Sequence, residues 1–89
     1  MELTANEARV FEDAIRGLLE KEQPLRGMRA DAKLYQTLAH KLGPLLENGG
    51  KLQLEEDEVW VGINNISVYH RTGVDPDGLT LKVKLYGEV

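Results

Sequence analysis

The sequence contains no cysteine, and it has only one tryptophan, one phenylalanine and three prolines among its 89 residues. Without cysteine, the chain can form neither a disulfide framework nor a thiolate nucleophile, and it supplies no thiolate ligand for zinc. A chain of this kind fits a reducing compartment. Few residue types are left to carry chemistry, and the sequence alone does not identify a function.

Long apolar runs and excess basic charge are also missing. No apolar run approaches the ~20 residues that a membrane-spanning helix needs, and the start MELTANEA lacks the basic and apolar parts of a signal peptide. We therefore expect a cytoplasmic protein with no membrane partner. The 11 Lys and Arg residues are outnumbered by 15 Asp and Glu, which gives a net charge of -4. That total provides no general attraction to nucleic-acid phosphates.

With 42% hydrophobic and 29% charged residues, the chain is expected to form a single globular domain over residues 1–89. Its first half has helical periodicity. Thr4 and Glu7 have the spacing of a capping box, and apolar residues then recur every three or four positions. This pattern predicts a helix over residues 4–23, followed by a short connection at Gln23–Gly27.

A second helix is predicted over residues 29–47. Gly43-Pro44 interrupts its apolar stripe, because proline clashes with the preceding helical turn, and we expect a kink or a restart there. Asn48-Gly49-Gly50 is a good terminator, since both residue types tolerate a left-handed backbone.

After Gly50 the apolar period changes from 3.6 to 2. The stretch VWVGINNISVYH, residues 59–70, predicts a hairpin in which Asn64-Asn65 form a type I′ turn. That turn would place Trp60 directly opposite Tyr69. LTLKVKLY, residues 79–86, alternates in the same way. We predict strands over residues 51–55, 58–63, 66–71 and 79–86, and the acidic run 55–58 fits either a tight turn or a longer loop.

The predicted fold is therefore α+β: two N-terminal helices packed on one face of a four-stranded antiparallel meander (ααββββ), in a two-layer sandwich. One face of the sheet would be aliphatic and buried against the helices. Its members are Leu52, Leu54, Val59, Val61, Ile63, Ile66, Val68, Leu79, Leu81, Val83 and Leu85.

The helix-free face of this sheet is the candidate binding surface. It would present Trp60, Tyr69, Arg71, Lys82, Lys84 and Tyr86. Aromatic side chains ringed by polar groups are typical of binding hot spots. We expect a small non-enzymatic protein–protein interaction module, such as a regulator, inhibitor or assembly factor, that binds a foreign protein or itself as a homodimer. An ordinary solvated face with one aromatic pair is an alternative interpretation.

Two further interpretations belong to other functional classes. Exposed sheet aromatics with Arg71, Lys82 and Lys84 could stack single-stranded nucleic acid, although the acidic total disfavours this. For an enzyme the sequence offers only His40 and His70, with no catalytic or metal-binding motif, so we expect no catalytic residue, cofactor or metal. His70 is expected to be partly buried at the sheet margin, and the segment 75–78 is read as a turn rather than a calcium loop.

Overall fold

The structure is a computed structural model that describes residues 1–22 and 29–89. These residues form helices α1 (Ala5–Glu22), α2 (Arg29–Leu42), α3 (Glu56–Asn65) and α4 (Pro76–Tyr86). They also form two antiparallel ladders, which pair β1 (Glu2–Leu3) with β2 (Gly50–Lys51) and β3 (Tyr69–His70) with β4 (Gly73–Val74). The predicted connection at Gln23–Gly27 lies outside the described residues.

The predicted ααββββ sandwich is wrong. The predicted strand 58–63 lies within α3, and the predicted strand 79–86 lies within α4. Of the predicted strands 51–55 and 66–71, only Lys51 and Tyr69–His70 lie in a ladder. The described part of the chain therefore contains two-stranded ladders and no four-stranded meander.

The acidic run that the strand prediction treated as a turn or loop instead begins α3. Glu55 is the N-cap residue, and its amide donates to Glu58 Oε1 at 2.8 Å. Three acidic side chains occupy the first turn, where they interact favourably with the positive end of the helix dipole. Val59 and Ile63 then face the core at helical spacing. The end charges and the buried face together outweigh the β propensity of the valines and isoleucines.

Asn64 and Asn65 end α3 and do not form a hairpin turn. A type I′ turn needs two residues with positive φ, and among the described residues only glycines have positive φ. The Asn65 side chain donates from Nδ2 to the Val61 carbonyl at 2.8 Å. Ile66 follows with an extended backbone and turns its side chain into the core.

Helix α4 begins at Asp75-Pro76, a sequence that is common both in turns and at the start of helices. The Asp75 carboxylate accepts a hydrogen bond from the Asp77 amide at 3.0 Å, and Pro76 occupies the first helical turn, where its missing N–H costs nothing. The alternating apolar residues are then separated into two stripes, because residues two apart in a helix point about 200° apart. Leu81 and Leu85 are fully buried, whereas Leu79 and Val83 are exposed.

Within residues 1–22 and 29–49, the helices begin and end at local signals in the sequence. Thr4 Oγ1 accepts from the Glu7 amide at 3.1 Å and Glu7 Oε1 accepts from the Thr4 amide at 2.8 Å, so the capping box is present. A 3₁₀ turn, Gly43–Leu45, contains Pro44 directly after α2. Gly49, with φ of 70°, donates to the Leu45 carbonyl at 2.8 Å; α2 itself ends at Leu42, before the predicted terminator.

A single core joins the helices: α1 packs against α2 and α4, and α3 packs against α4. Its members are Leu3, Ala8, Phe11, Ile15, Leu38, Leu42, Leu45, Leu52, Val59, Ile63, Ile66, Leu81 and Leu85. Gly62 lies where α3 meets α1 and α4. A Cβ on this residue would lie 2.7 Å from Leu85 Cδ1 and 3.0 Å from Phe11 Cζ. The glycine therefore lets α3 approach its neighbours closely.

Two capping-box glutamates are buried beneath the ends of other helices. Glu7 Oε1 accepts from Lys84 Nζ at 2.6 Å, and Glu7 Oε2 accepts from Thr80 Oγ1 at 2.7 Å. Glu58 Oε1 accepts from Lys41 Nζ at 2.6 Å, while its Oε2 is buried with no partner among the described residues. Each carboxylate thus fixes one helix start and ties it to a lysine on a second helix: α1 to α4, and α3 to α2.

The environment of Glu7 sets its charge state. Burial raises the pKa of this carboxyl, but hydrogen bonds from Lys84, the Thr4 amide and Thr80, together with the Lys84 charge, lower it below its ordinary value of 4.5. A carboxyl whose pKa is lower in the folded chain stabilises the fold above the unfolded pKa. That contribution is lost as the pH falls through the folded pKa.

We expect Gly62→Ala to lower the free energy of unfolding by about 1–3 kcal/mol, because the added methyl overpacks Leu85 and Phe11. Gly17→Ala is the matched control: it lies within α1 and no atom lies within 4 Å of its Cβ position. At position 17 the same change should raise the free energy of unfolding by about 0.5–1 kcal/mol. Urea unfolding measures both. A Gly62→Ala protein as stable as the wild type would contradict the close packing.

We expect Glu7→Gln to destabilise the protein at neutral pH by about 1–3 kcal/mol, because Lys84 then loses its charged partner. The difference in unfolding free energy from the wild type should narrow as the pH falls from about 6 toward 2, where Glu7 itself becomes protonated. Urea midpoints across this range measure it. Glu47→Gln, at an exposed position, controls for the loss of one negative charge. A difference that stays constant with pH would disprove the role given to the Glu7 carboxylate.

Candidate functional site

Helix α4 carries a second apolar stripe on the side opposite its buried one. Leu79, Val83 and Tyr86 are 46%, 64% and 55% exposed, and they follow one another at four- and three-residue spacing. That spacing places them side by side on one helix face. A helix in a small protein normally presents polar residues to water. This outer stripe therefore differs from an ordinary solvated face.

The outer stripe leads to a cleft at the end of α4. Val89 lies one turn beyond Tyr86, and its amide donates to the Tyr86 carbonyl at 3.5 Å. Val89 and Trp60 both line a cleft of about 550 Å³, with Leu54, Val59, Glu56 and Glu88 as the other lining residues. Trp60 is 44% exposed. We call the outer stripe and this Trp60 cleft together the apolar track: Leu79, Val83, Tyr86, Val89 and Trp60.

The two charged side chains that line the Trp60 cleft are both acidic. Glu56 and Glu88 line it, and Glu56 precedes Trp60 by four residues on α3, which places it on the same helix face. Glu55 and Asp57 are exposed beside it at the start of the helix. The cleft therefore combines an apolar floor with a negative rim.

Four of the predicted site residues lie elsewhere or are already engaged. Tyr69 is 78% exposed on β3, opposite Val74 in the ladder and not opposite Trp60. Arg71 is exposed in the turn between β3 and β4. Lys82 is half-buried next to the outer stripe. Lys84 is bound to Glu7 and donates to the Glu2 carbonyl at 2.9 Å. The aromatic and basic residues thus do not form one face.

A second cleft of about 350 Å³ is lined by a histidine and a carboxylate that are in contact, His70 and Asp75. His70 Nε2 lies 3.3 Å from Asp75 Oδ2, and this hydrogen bond, ahead of weaker opposing burial, lowers the pKa of Asp75. His70 is exposed, contrary to the expectation of a partly buried histidine. Ser67 also lines this cleft, but its hydroxyl donates to the Tyr69 carbonyl at 2.9 Å, so the structure shows no serine–histidine pair.

Two further features are absent from the described part of the chain. Within residues 1–22 and 29–89, no three His, Asp or Glu side chains cluster closely enough to hold a metal ion. None of the helices in these ranges combines the length and apolar character needed to cross a bilayer.

Comparison with known proteins gives no relative for this chain. No family model matches it, and neither a curated protein nor a solved structure matches it.

The strand prediction missed three of the five residues of the apolar track: Leu79, Val83 and Val89. It placed Leu79 and Val83 on the buried face of a sheet, so neither was a candidate site residue. The signal that could have found them is Asp75-Pro76, which is the N-cap and first turn of α4 and also a helix-start pattern. A helix starting there puts the two residues on the face opposite Leu81 and Leu85.

The acidic rim should be visible through Trp60, the only tryptophan. We expect caesium ions to quench its fluorescence more strongly than iodide, relative to neutral acrylamide, because Glu56, which has no ion-pair partner among the described residues, repels anions and concentrates cations. Added salt should reduce the difference. Glu56→Gln should raise iodide quenching, while Glu47→Gln, outside the cleft, should leave it unchanged. Equal quenching by both ions at low salt would show that the rim has no local field.

Proposed function

We propose that this protein is a small non-enzymatic protein–protein interaction module that binds a partner through the apolar track. The observation that carries the proposal is the outer stripe of α4. Leu79, Val83 and Tyr86 are each about half exposed on a helix whose other face is anchored in the core. Contiguous exposed apolar patches on a soluble domain mark interaction sites.

The form of the surface supports a partner segment rather than a small molecule. The outer stripe is convex, and apolar side chains at such spacing are the contact pattern of helix–helix and helix–groove recognition. The Trp60 cleft at its end offers a recess beside a large aromatic side chain, and tryptophan and tyrosine are the residues most often found at binding hot spots. A regulator, inhibitor or assembly factor would use a surface of this kind.

The nucleic-acid alternative has less support. Stacking platforms for single strands combine exposed aromatics with free cations. Here Trp60 stands beside Glu56 and Glu88, and Lys84 is held by buried Glu7. Arg71 and Tyr69 remain exposed at the β3–β4 hairpin, but the apolar track has no matching set of basic side chains.

We expect a photo-crosslinking residue at position 83 to give a discrete protein adduct in cells of the source organism, because Val83 is the most exposed member of the stripe. The matched control is position 36, since Gln36 is equally an exposed helical position, on α2. Leu79→Lys, combined with the position 83 label, should abolish the adduct. Denaturing electrophoresis and mass spectrometry measure it.

The stability of the variants separates binding from folding. Leu79→Lys should change the free energy of unfolding by no more than about 0.5 kcal/mol, as expected for a surface position, whereas Leu81→Ala should cost about 2–5 kcal/mol. An adduct with a second copy would identify a homodimer. Absence of an adduct at position 83, or the same adducts at position 36, would refute the proposed function.

A further inference from the structure

The charges of the Trp60 cleft restrict what can enter it. Lys41 neutralises Glu58 at 2.6 Å, and this carboxylate is buried. Glu88 lies 3.3 Å from the amino group of Met1. Among the described residues, nothing forms an ion pair with Glu55, Glu56 or Asp57. Glu55 caps α3 through its side chain, which leaves Glu56 in the cleft lining and the neighbouring Asp57 as exposed carboxylates without an ion-pair partner.

We propose that the segment bound in the Trp60 cleft is basic: a large apolar side chain enters beside Trp60, and lysine or arginine residues next to it face Glu56 and Asp57. This inference rests on the proposed function and specifies the chemistry of its partner. Complementary charge steers such a segment to the site and rejects acidic ones. An arginine of the partner could also lie over the Trp60 ring, which is the best aromatic acceptor for a cation.

The same charges make a second copy of this chain a poor occupant. In a two-fold contact the same surface faces itself, so the unpaired Glu56 and Asp57 of one copy would come close to those of the other. The whole chain carries a net charge of -4, so long-range repulsion adds to the local conflict. A foreign segment with excess positive charge meets neither difficulty.

The position of Lys82 indicates how a bound segment is oriented along the apolar track. It lies three residues from Leu79 and four from Tyr86, and so borders the outer stripe on the helix surface. The unpaired carboxylates lie at the other end of the apolar track, beside Trp60. A bound segment should therefore place its basic residues at the Trp60 end and does not need them along α4.

The test uses three synthetic helical peptides of equal length. The first has leucines at positions i, i+4 and i+7 with lysines at one end. The second replaces the lysines by glutamates, and the third keeps the lysines but replaces the leucines by alanines. Binding to the full chain is followed by the emission of Trp60 and by the anisotropy of a dye on the peptide.

We expect the first peptide to bind at least about tenfold more tightly than the second, because like charges meet in the latter, and more tightly than the third, which lacks apolar anchors. Glu56→Gln should lower the affinity for the first peptide by about two- to fivefold, as expected for the loss of one exposed ion pair. Glu47→Gln should leave this affinity unchanged. Raising the salt concentration should weaken it as well.

Three results would overturn the inference. Equal affinity for the lysine and glutamate peptides would show that charge does not select the occupant. Equal affinity for the lysine peptides with leucine and with alanine would show unspecific attraction to acidic groups. Binding by none of the peptides, together with a crosslinked partner at position 83, would leave the proposed function intact without a basic occupant. If the position 83 adduct is also absent, the proposed function fails as well.

Discussion

The arrangement of helices α1 to α4 depends on two carboxylates, each of which makes two kinds of contact. Glu7 and Glu58 each complete the first turn of a helix by accepting a backbone N–H, and each then accepts a lysine from a different helix at 2.6 Å. A buried carboxylate without such partners would be strongly destabilising, because water no longer solvates it. Helix starts and helix packing are therefore coupled: α1 keeps its cap geometry where α4 supplies Lys84, and α3 where α2 supplies Lys41.

The two halves of the chain differ in how far their sequence determines their structure. In α1 the capping box and the apolar spacing agree, so the helix could be predicted. In α3 the N-cap is glutamate, which is not among the favoured N-cap residues, and β-branched residues follow it. In α4 the apolar residues alternate, which is the pattern of a half-buried strand. There the local helix signal is confined to the start, Asp75-Pro76, and the rest of the helix depends on contacts with α1 and α3.

Part of the candidate site could be predicted from the sequence without the correct secondary structure. Trp60 and Tyr86 could be singled out as large aromatics in polar surroundings, whichever secondary structure they occupy. Leu79 and Val83 could not, because a strand assigns all four alternating apolar residues to one face, whereas a helix separates them into an inner pair and an outer pair. The error in secondary structure thus concealed the exposed apolar stripe.

The buried ion pair and the exposed stripe are connected through the rotation of α4. Thr80 and Lys84 are one turn apart and both reach Glu7, while Leu81 and Leu85 reach the core on the adjacent side of the helix. The contacts with Glu7 and the contacts with the core together fix the rotation of α4 about its own axis. Because these contacts occupy two adjacent sides of α4, Leu79, Val83 and Tyr86 lie on the remaining side, which faces water. The outer stripe is therefore held rigidly by the same contacts that stabilise the fold, and a surface fixed in this way loses little conformational entropy when a partner binds.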